Sequence, residues 1–103
     1  MKDEGTKHDQ GKPRLSKIPL AGITEVVKVM EFGAQKYGWD NWKKGMDWSR
    51  LIDASLRHIY KYANGKDKDE ESGLSHLAHA ACDILFLLHY IEHKIGTDDR
   101  SGE

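Results

Sequence analysis

The chain has 103 residues, with 16 lysines and arginines against 17 aspartates and glutamates, and a formal net charge of −1. Its 38 % hydrophobic and 32 % charged residues supply one thin core, which excludes a two-domain protein and a doubly wound cofactor fold. Balanced charge excludes a generally basic binder of polymeric nucleic acid, and the lone cysteine, Cys82, excludes an internal disulfide and a cysteine-rich zinc site. Met1 to Arg14 contains no apolar stretch. No run approaches the roughly 20 apolar residues of a spanning helix. The expectation is one cytoplasmic domain over 1–103 with no membrane partner.

Residues 1–13, MKDEGTKHDQGKP, are polar and read as an arm that a ligand or partner orders. Pro19 is well placed to open a first helix. Leu20, Ile23, Val26, Val27, Met30 and Ala34 recur at helical spacing and predict its buried face, which fades at Tyr37-Gly38. The connection GWDNWKKGMDW carries Trp39, Trp42 and Trp48 within ten residues. It reads as a packed lid or as a surface on which a flat ring stacks.

Ser49 is expected to cap a second helix that runs to about Ala63 and stops at Asn64-Gly65. Leu51, Ile52, Leu56, Ile59 and Ala63 form its predicted buried face. Arg50, Asp53, Arg57 and Lys61 fall together on the other side. After the charged loop KDKDEESG, Ser72 is the expected cap of a third helix over about 73–94. That helix is apolar almost all round from Leu77 to Ile91, which makes it the central one. At about 100° per residue one side carries Leu74, Leu77, Ala81, Ile84, Leu85 and Leu88. A second side carries His76, His79, Asp83, Phe86, Leu87 and Tyr90. The tail from Gly96 is expected to be disordered. No alternating run competes as a strand. The fold class is all-α, a compact bundle of three main helices completed by homo-oligomerisation.

The strongest constellation is Glu71, His76, His79 and Asp83. The last three project from one helix face within about one and a half turns, and Glu71 at the helix entrance reaches the same space. Two imidazoles and two carboxylates suit a divalent ion or acid/base work. Asp83 is the oddest residue, because a charge inside ACDILFLL must meet a cation, a metal or strong donors, or stay protonated. Pairing with Arg57 or a histidine inside the bundle is the bland alternative. The acidic group Asp67, Asp69, Glu70 and Glu71 favours the start of the third helix and offers hard oxygens to Mg²⁺ or Mn²⁺. The Arg50, Arg57 and Lys61 stripe is either a solvated face or a phosphate contact. Lys12, Arg14 and Lys36 are further phosphate candidates. Cys82 reads as an inert core thiol.

Four strings in order, KHDQGKPRLSKIP, GAQKYGWDNWKKGM, RLIDASLRHIYKY and DEESGLSHLAHAACDILFLL, resemble the phage dATP/dGTP diphosphohydrolase (MazZ-like) family. That family in turn looks related to MazG-type all-α nucleotide pyrophosphohydrolases. The resemblance covers about residues 7–92. It implies an enzyme that cleaves a deoxypurine triphosphate to the monophosphate and pyrophosphate with Mg²⁺ or Mn²⁺, in phage nucleotide-pool or modified-purine metabolism within the host cytoplasm. MazG-type enzymes place metal carboxylates as ExxE and ExxD. Here Ala80 stands where the second Glu would be, and the preceding helix offers Arg57-His58 and Lys61 instead.

The ligands expected from this chain are therefore Asp69, Glu71, His79 and Asp83, with Glu25 or Asp53 as further candidates and Glu71 and Asp83 as the catalytic pair. Lys12, Arg14, Lys36, Asn41, Trp42, Arg57, His58 and His76 are the expected substrate contacts. Trp42 would stack on the base and Asn41 would read its edge. Two competing functions remain at this point. One is an HD-type triphosphohydrolase using His58, His79 and Asp83, against which no adjacent His-Asp pair lies on a helix. The other is a non-enzymatic phage module that binds a nucleotide or protein.

Overall fold

The computed structural model describes residues 4–102. Three helices carry the fold: α1 over Leu20–Tyr37, α2 over Trp48–Ala63 and α3 over His76–His93. Short 3₁₀ turns at Leu15–Lys17 and Asn41–Lys44 precede α1 and α2. Among the described residues there is no β-strand, only isolated bridges joining Asp47 to Thr97 and Lys68 to Ser75. No helix among them is long and apolar enough to cross a membrane. The fold is all-α, as the periodicity predicts.

Helix α3 packs against both α2 and α1 and is the central element. Its small residues explain why. Ala78, Ala80 and Cys82 are buried and let the neighbouring helices approach closely. Val29 of α1 meets Ala78 and Cys82, with Val26, Met30, Leu74 and Phe86 packed around them. On the α2 side Leu51 and Ser55 are buried, and the Ser55 hydroxyl donates to the Ala80 carbonyl at 3.1 Å. That bond satisfies a polar group that would otherwise be costly to bury.

Several local expectations are corrected. The buried face of α1 centres on Val29, while Leu20 and Val27 are exposed. On α2, Leu56 and Ile59 of the predicted core face are exposed as well. On α3, Leu77, Ile84, Leu85 and Leu88 face outward. Helical apolar periodicity marks every face able to be covered, and three helices of this length cannot cover all of them.

Helix α3 starts three residues later than expected. Ser75 caps it, accepting from the backbone N–H groups of Leu77 and Ala78. Ser72 is engaged elsewhere, with its hydroxyl 2.7 Å from Nε2 of His79. Ser49 lies inside the first turn of α2, which begins at Trp48.

The tail is ordered, contrary to the expectation of disorder. It runs back across the start of α2. Thr97 accepts from the Trp48 N–H at 2.9 Å, Ile95 accepts from the Trp48 indole at 2.9 Å, and Asp99 accepts from the Ser49 N–H at 2.9 Å. A carboxylate from 50 residues away thus does the work of a local cap, placed where the helix dipole favours negative charge. The hydrogen bonds from Ser49 hold the Asp99 carboxyl below its ordinary range.

Gly96 permits the crossing. Its φ is +75°, and a Cβ there would stand 2.3 Å from the Met46 carbonyl oxygen. Gly96→Ala is expected to cost about 2 kcal/mol and to lower the melting temperature by roughly 10 °C. Gly22→Ala, in the first turn of α1, where a Cβ meets only Pro19 at 3.9 Å, should instead gain up to about 1 kcal/mol. Thermal melts of both variants check this; an unchanged Gly96→Ala melt would mean the tail does not dock.

Candidate active site

A cleft of about 760 Å³ opens between the C-terminal half of α1, the tryptophan-rich connection, α2 and the middle of α3. Helix geometry fills it with charge. Arg50, Asp53 and Arg57 come from successive turns of one α2 face, and His79, Cys82, Asp83 and Phe86 from the facing stripe of α3. Lys36 and Tyr37 arrive from the end of α1, and Trp39, Asn41, Trp42 and Lys44 from the connection. Four cations, two carboxylates, one imidazole and five aromatic rings, Phe32 among them, therefore share a single space.

The floor of the cleft is rigid. Trp42 stacks on Phe86 with ring centroids 4.2 Å apart and planes 7° from parallel. The hydroxyl of Tyr90, a fully buried side chain, donates to the Trp42 carbonyl. One face of Trp42 is thus covered by the protein. Trp39 and Tyr37, both exposed, carry open rings at the same cleft.

Asp83 lies half-buried on α3. Among the described residues no cation comes within ion-pair distance of it. Burial pushes its carboxyl up to about 6, and the field of Arg57 opposes that only in part. The neighbouring Cys82 thiol is pushed up to about 12 by burial and then by Asp83, which makes it an inert thiol at neutral pH.

A polar cluster closes one end of the cleft. Nε2 of His79 is 2.7 Å from the Ser72 hydroxyl and 4.0 Å from Oδ2 of Asp69. The His58 ring stacks on His79 with centroids 4.5 Å apart. Nδ1 of His58 lies 2.8 Å from Nδ1 of His76. Burial, then the neighbouring His79 and His76, lower His58 to about 4. Burial also lowers His79. Partial burial pushes Asp69 up, but hydrogen bonds from Ser72 outweigh it and hold the carboxyl below its ordinary value. Glu71 forms an ion pair with Lys36 across the cleft end, and that bond raises Lys36.

The expected site residues therefore divide. Lys36, Asn41, Trp42, Arg57, His79 and Asp83 line the cleft. Asp69 and Glu71 stand at its end through His79 and Lys36. His58 and His76 pair beyond His79 and do not line the cleft, and His76 is 1 % exposed. Lys12 and Arg14 lie on the exposed arm, also outside the cleft lining. Tyr37, Lys44 and Arg50 belong to the cleft and were not among the expected contacts. Arg50 was visible in the charged stripe of α2. Tyr37 and Lys44 gave no signal beyond lying near the tryptophans.

The pH dependence of Asp83 follows from its position. In the unfolded chain the group ionises near 3.8, in the fold only near 6. The fold keeps the extra proton between these values, so stability from this group falls as pH rises through that window. Asp83→Asn is therefore expected to stabilise the protein by up to about 3 kcal/mol at pH 8 and hardly at all at pH 4. Denaturant melts at the two pH values measure this; equal destabilisation at both would show that the carboxylate has a partner.

The model of a family described as dATP/dGTP diphosphohydrolase, N-terminal, matches residues 2–100. A dATP/dGTP diphosphohydrolase of Salmonella phage PMBT28 is 42 % identical over 96 residues, covering 93 % of this chain and 33 % of that relative. The chain thus spans about a third of the relative's length. No solved structure matches. Since the family match runs through every element that builds the cleft, the chain belongs to the dATP/dGTP diphosphohydrolase N-terminal family.

Proposed function

We propose that the cleft binds a purine deoxynucleoside triphosphate and that the chain hydrolyses it to the monophosphate and pyrophosphate. The observation that carries this is the meeting of four cations, two carboxylates and open aromatic rings in one cleft. The relative's name, dATP/dGTP diphosphohydrolase, supplies the substrate pair and the bond cleaved.

Water attacks the α-phosphorus, and the bond between that phosphorus and the oxygen bridging to the β-phosphate breaks. Lys36, Lys44, Arg50 and Arg57 hold the triphosphate, the arginines through paired N–H donors. Tyr37 and Trp39 offer their open faces to the base, and Asn41 offers a donor and an acceptor to its edge. Asp53, Asp83 and His79 line the same cleft and would supply two carboxylates and one imidazole to Mn²⁺ or Mg²⁺. Glu71 stands within reach at the cleft end once Lys36 turns to phosphate. When bound, such an ion neutralises phosphate charge and polarises the bond to be broken. Asp83, a carboxyl titrating near 6, is charged at neutral pH and takes a proton from the attacking water.

The outward α3 stripe of Leu77, Ile84, Leu88 and Ile91, all about half exposed, is in this reading covered by a second copy of the chain. Draining purine triphosphates or supplying a monophosphate to modified-purine synthesis would be the phage role.

The test is product analysis with each of the four common deoxynucleoside triphosphates and Mn²⁺ or Mg²⁺. Pyrophosphate and monophosphate from dATP and dGTP are expected. Tripolyphosphate would point to HD-type chemistry, and no turnover by the folded, metal-loaded chain would leave a binding module. Arg57→Ala should lower kcat/KM about 100-fold, the loss of a charged hydrogen bond. Trp39→Ala should raise KM about tenfold through lost stacking. Steady-state kinetics on both variants measures these effects.

A further inference from the structure

Beyond His79, three metal-binding side chains converge from three parts of the chain. His58 comes from the middle of α2, His76 is the first residue of α3, and Asp69 belongs to the loop between them. One donor atom of each lies within 4.8 Å of the other two. None of the three lines the cleft.

The spacing of the imidazoles is the telling feature. The two Nδ1 atoms face each other at 2.8 Å, and His76 is buried. Two ring nitrogens at that distance share at most one proton, one donating and the other accepting. Nitrogens bound side by side on a transition ion at about 2.1 Å lie about 2.9 to 3.4 Å apart, and donors across it about 4.2 Å. The histidine pair is already near the first spacing, and the Asp69 oxygen, within 4.8 Å of both, needs an approach of no more than about 2 Å to join them.

The surroundings hold these donors in place. Asp69 accepts from the Ser72 N–H at 2.8 Å, and His58 is stacked on His79. The loop is itself braced, with the Asp69 N–H donating to the Leu74 carbonyl at 2.8 Å and the His76 N–H to the Asp67 carbonyl at 2.9 Å. Outer partners of this kind orient ligands before an ion arrives.

We propose that His58, His76 and Asp69 form a binding site for a divalent transition ion of the Mn²⁺ to Zn²⁺ series, separate from the cation position in the cleft. Two imidazoles and one carboxylate favour that series over Mg²⁺ and Ca²⁺, which take oxygen shells. Water fills the remaining positions. The ion ties α2, the charged loop and the start of α3 together at a place where the polypeptide is otherwise held by hydrogen bonds. Its effect is therefore on stability first, through preferential binding to the folded chain. The site lies outside the cleft, and its occupancy does not depend on the reaction proposed there.

Chelator-stripped protein is titrated with Co²⁺, and separately with Zn²⁺, by calorimetry without nucleotide, with the visible spectrum of Co²⁺ reporting nitrogen ligation. One equivalent is expected to bind in the micromolar range or tighter, and millimolar Mg²⁺ should not displace it. Zn²⁺ should raise the melting temperature. His58→Gln and Asp69→Asn should each weaken Co²⁺ binding about tenfold or more and remove the Zn²⁺ shift, with circular dichroism confirming the helices. Asp53→Asn and Asp83→Asn, which alter only the cleft donors, should leave the tight equivalent of Co²⁺ that depends on His58 and Asp69 bound as it is. Absence of binding by the folded chain would overturn the proposal. So would binding untouched by His58→Gln and Asp69→Asn, or binding lost with Asp83→Asn, which would move the ion into the cleft.

Discussion

The contact of Val29 with Ala78 and Cys82 is the hinge on which the domain depends. It is small, and it is small for a reason. Alanine and cysteine on α3 bring the helices close but bury little area, and few hydrophobic side chains of the chain are truly buried. At about 25 cal/mol per Å² of apolar surface removed from water, such a core leaves little margin over chain entropy. The remaining constraint comes from specific polar links: Ser55 to Ala80, Tyr90 to Trp42, and the tail to the start of α2. Each joins segments far apart in sequence, so each closes a long loop that the apolar core alone holds weakly.

The same helix that carries the core carries the unfavourable charges. Asp83 sits beside Cys82 and one turn from His79, with Arg57 as the cation whose field reaches it. A carboxylate in that position is destabilising without a counter-charge, whereas a bound cation or a phosphate-held metal turns the penalty into attraction. Functional sites commonly hold groups whose environments push their titration away from neutral solution values. In this cleft burial pushes both Asp83 and its neighbour Cys82 upward.

Much of this was legible in the chain. The three helices follow from apolar periodicity, and the centrality of α3 from its apolar run. Asp83 and His79 stood out because polar groups in an apolar helix need a reason. The place of α2 cations in the cleft was readable from Arg50 and Arg57 on one stripe. What escaped was set by distance along the chain. Asp99 replaces a local cap from 50 residues away, and no spacing rule sees that. Ser72 and Ser75 have equal capping propensity; Ser75 caps the helix, while the Ser72 hydroxyl meets His79 and the Leu74 N–H. His58 was expected as a substrate contact. Only the fold brings it to His76.

Trp42 shows why core and site resist separation in so small a domain. Its ring is stacked on Phe86, its carbonyl is held by Tyr90, and its edge meets His89. Yet it also forms the floor of the cleft. Any ligand that presses on this floor packs against the most ordered part of the connection. The binding free energy then appears partly as folding free energy, because the unfolded chain offers no such surface. A thin core and a charged cleft are in this sense one design problem. The elements that leave the free chain short of apolar burial are the ones whose positions a bound nucleotide and its metal would fix.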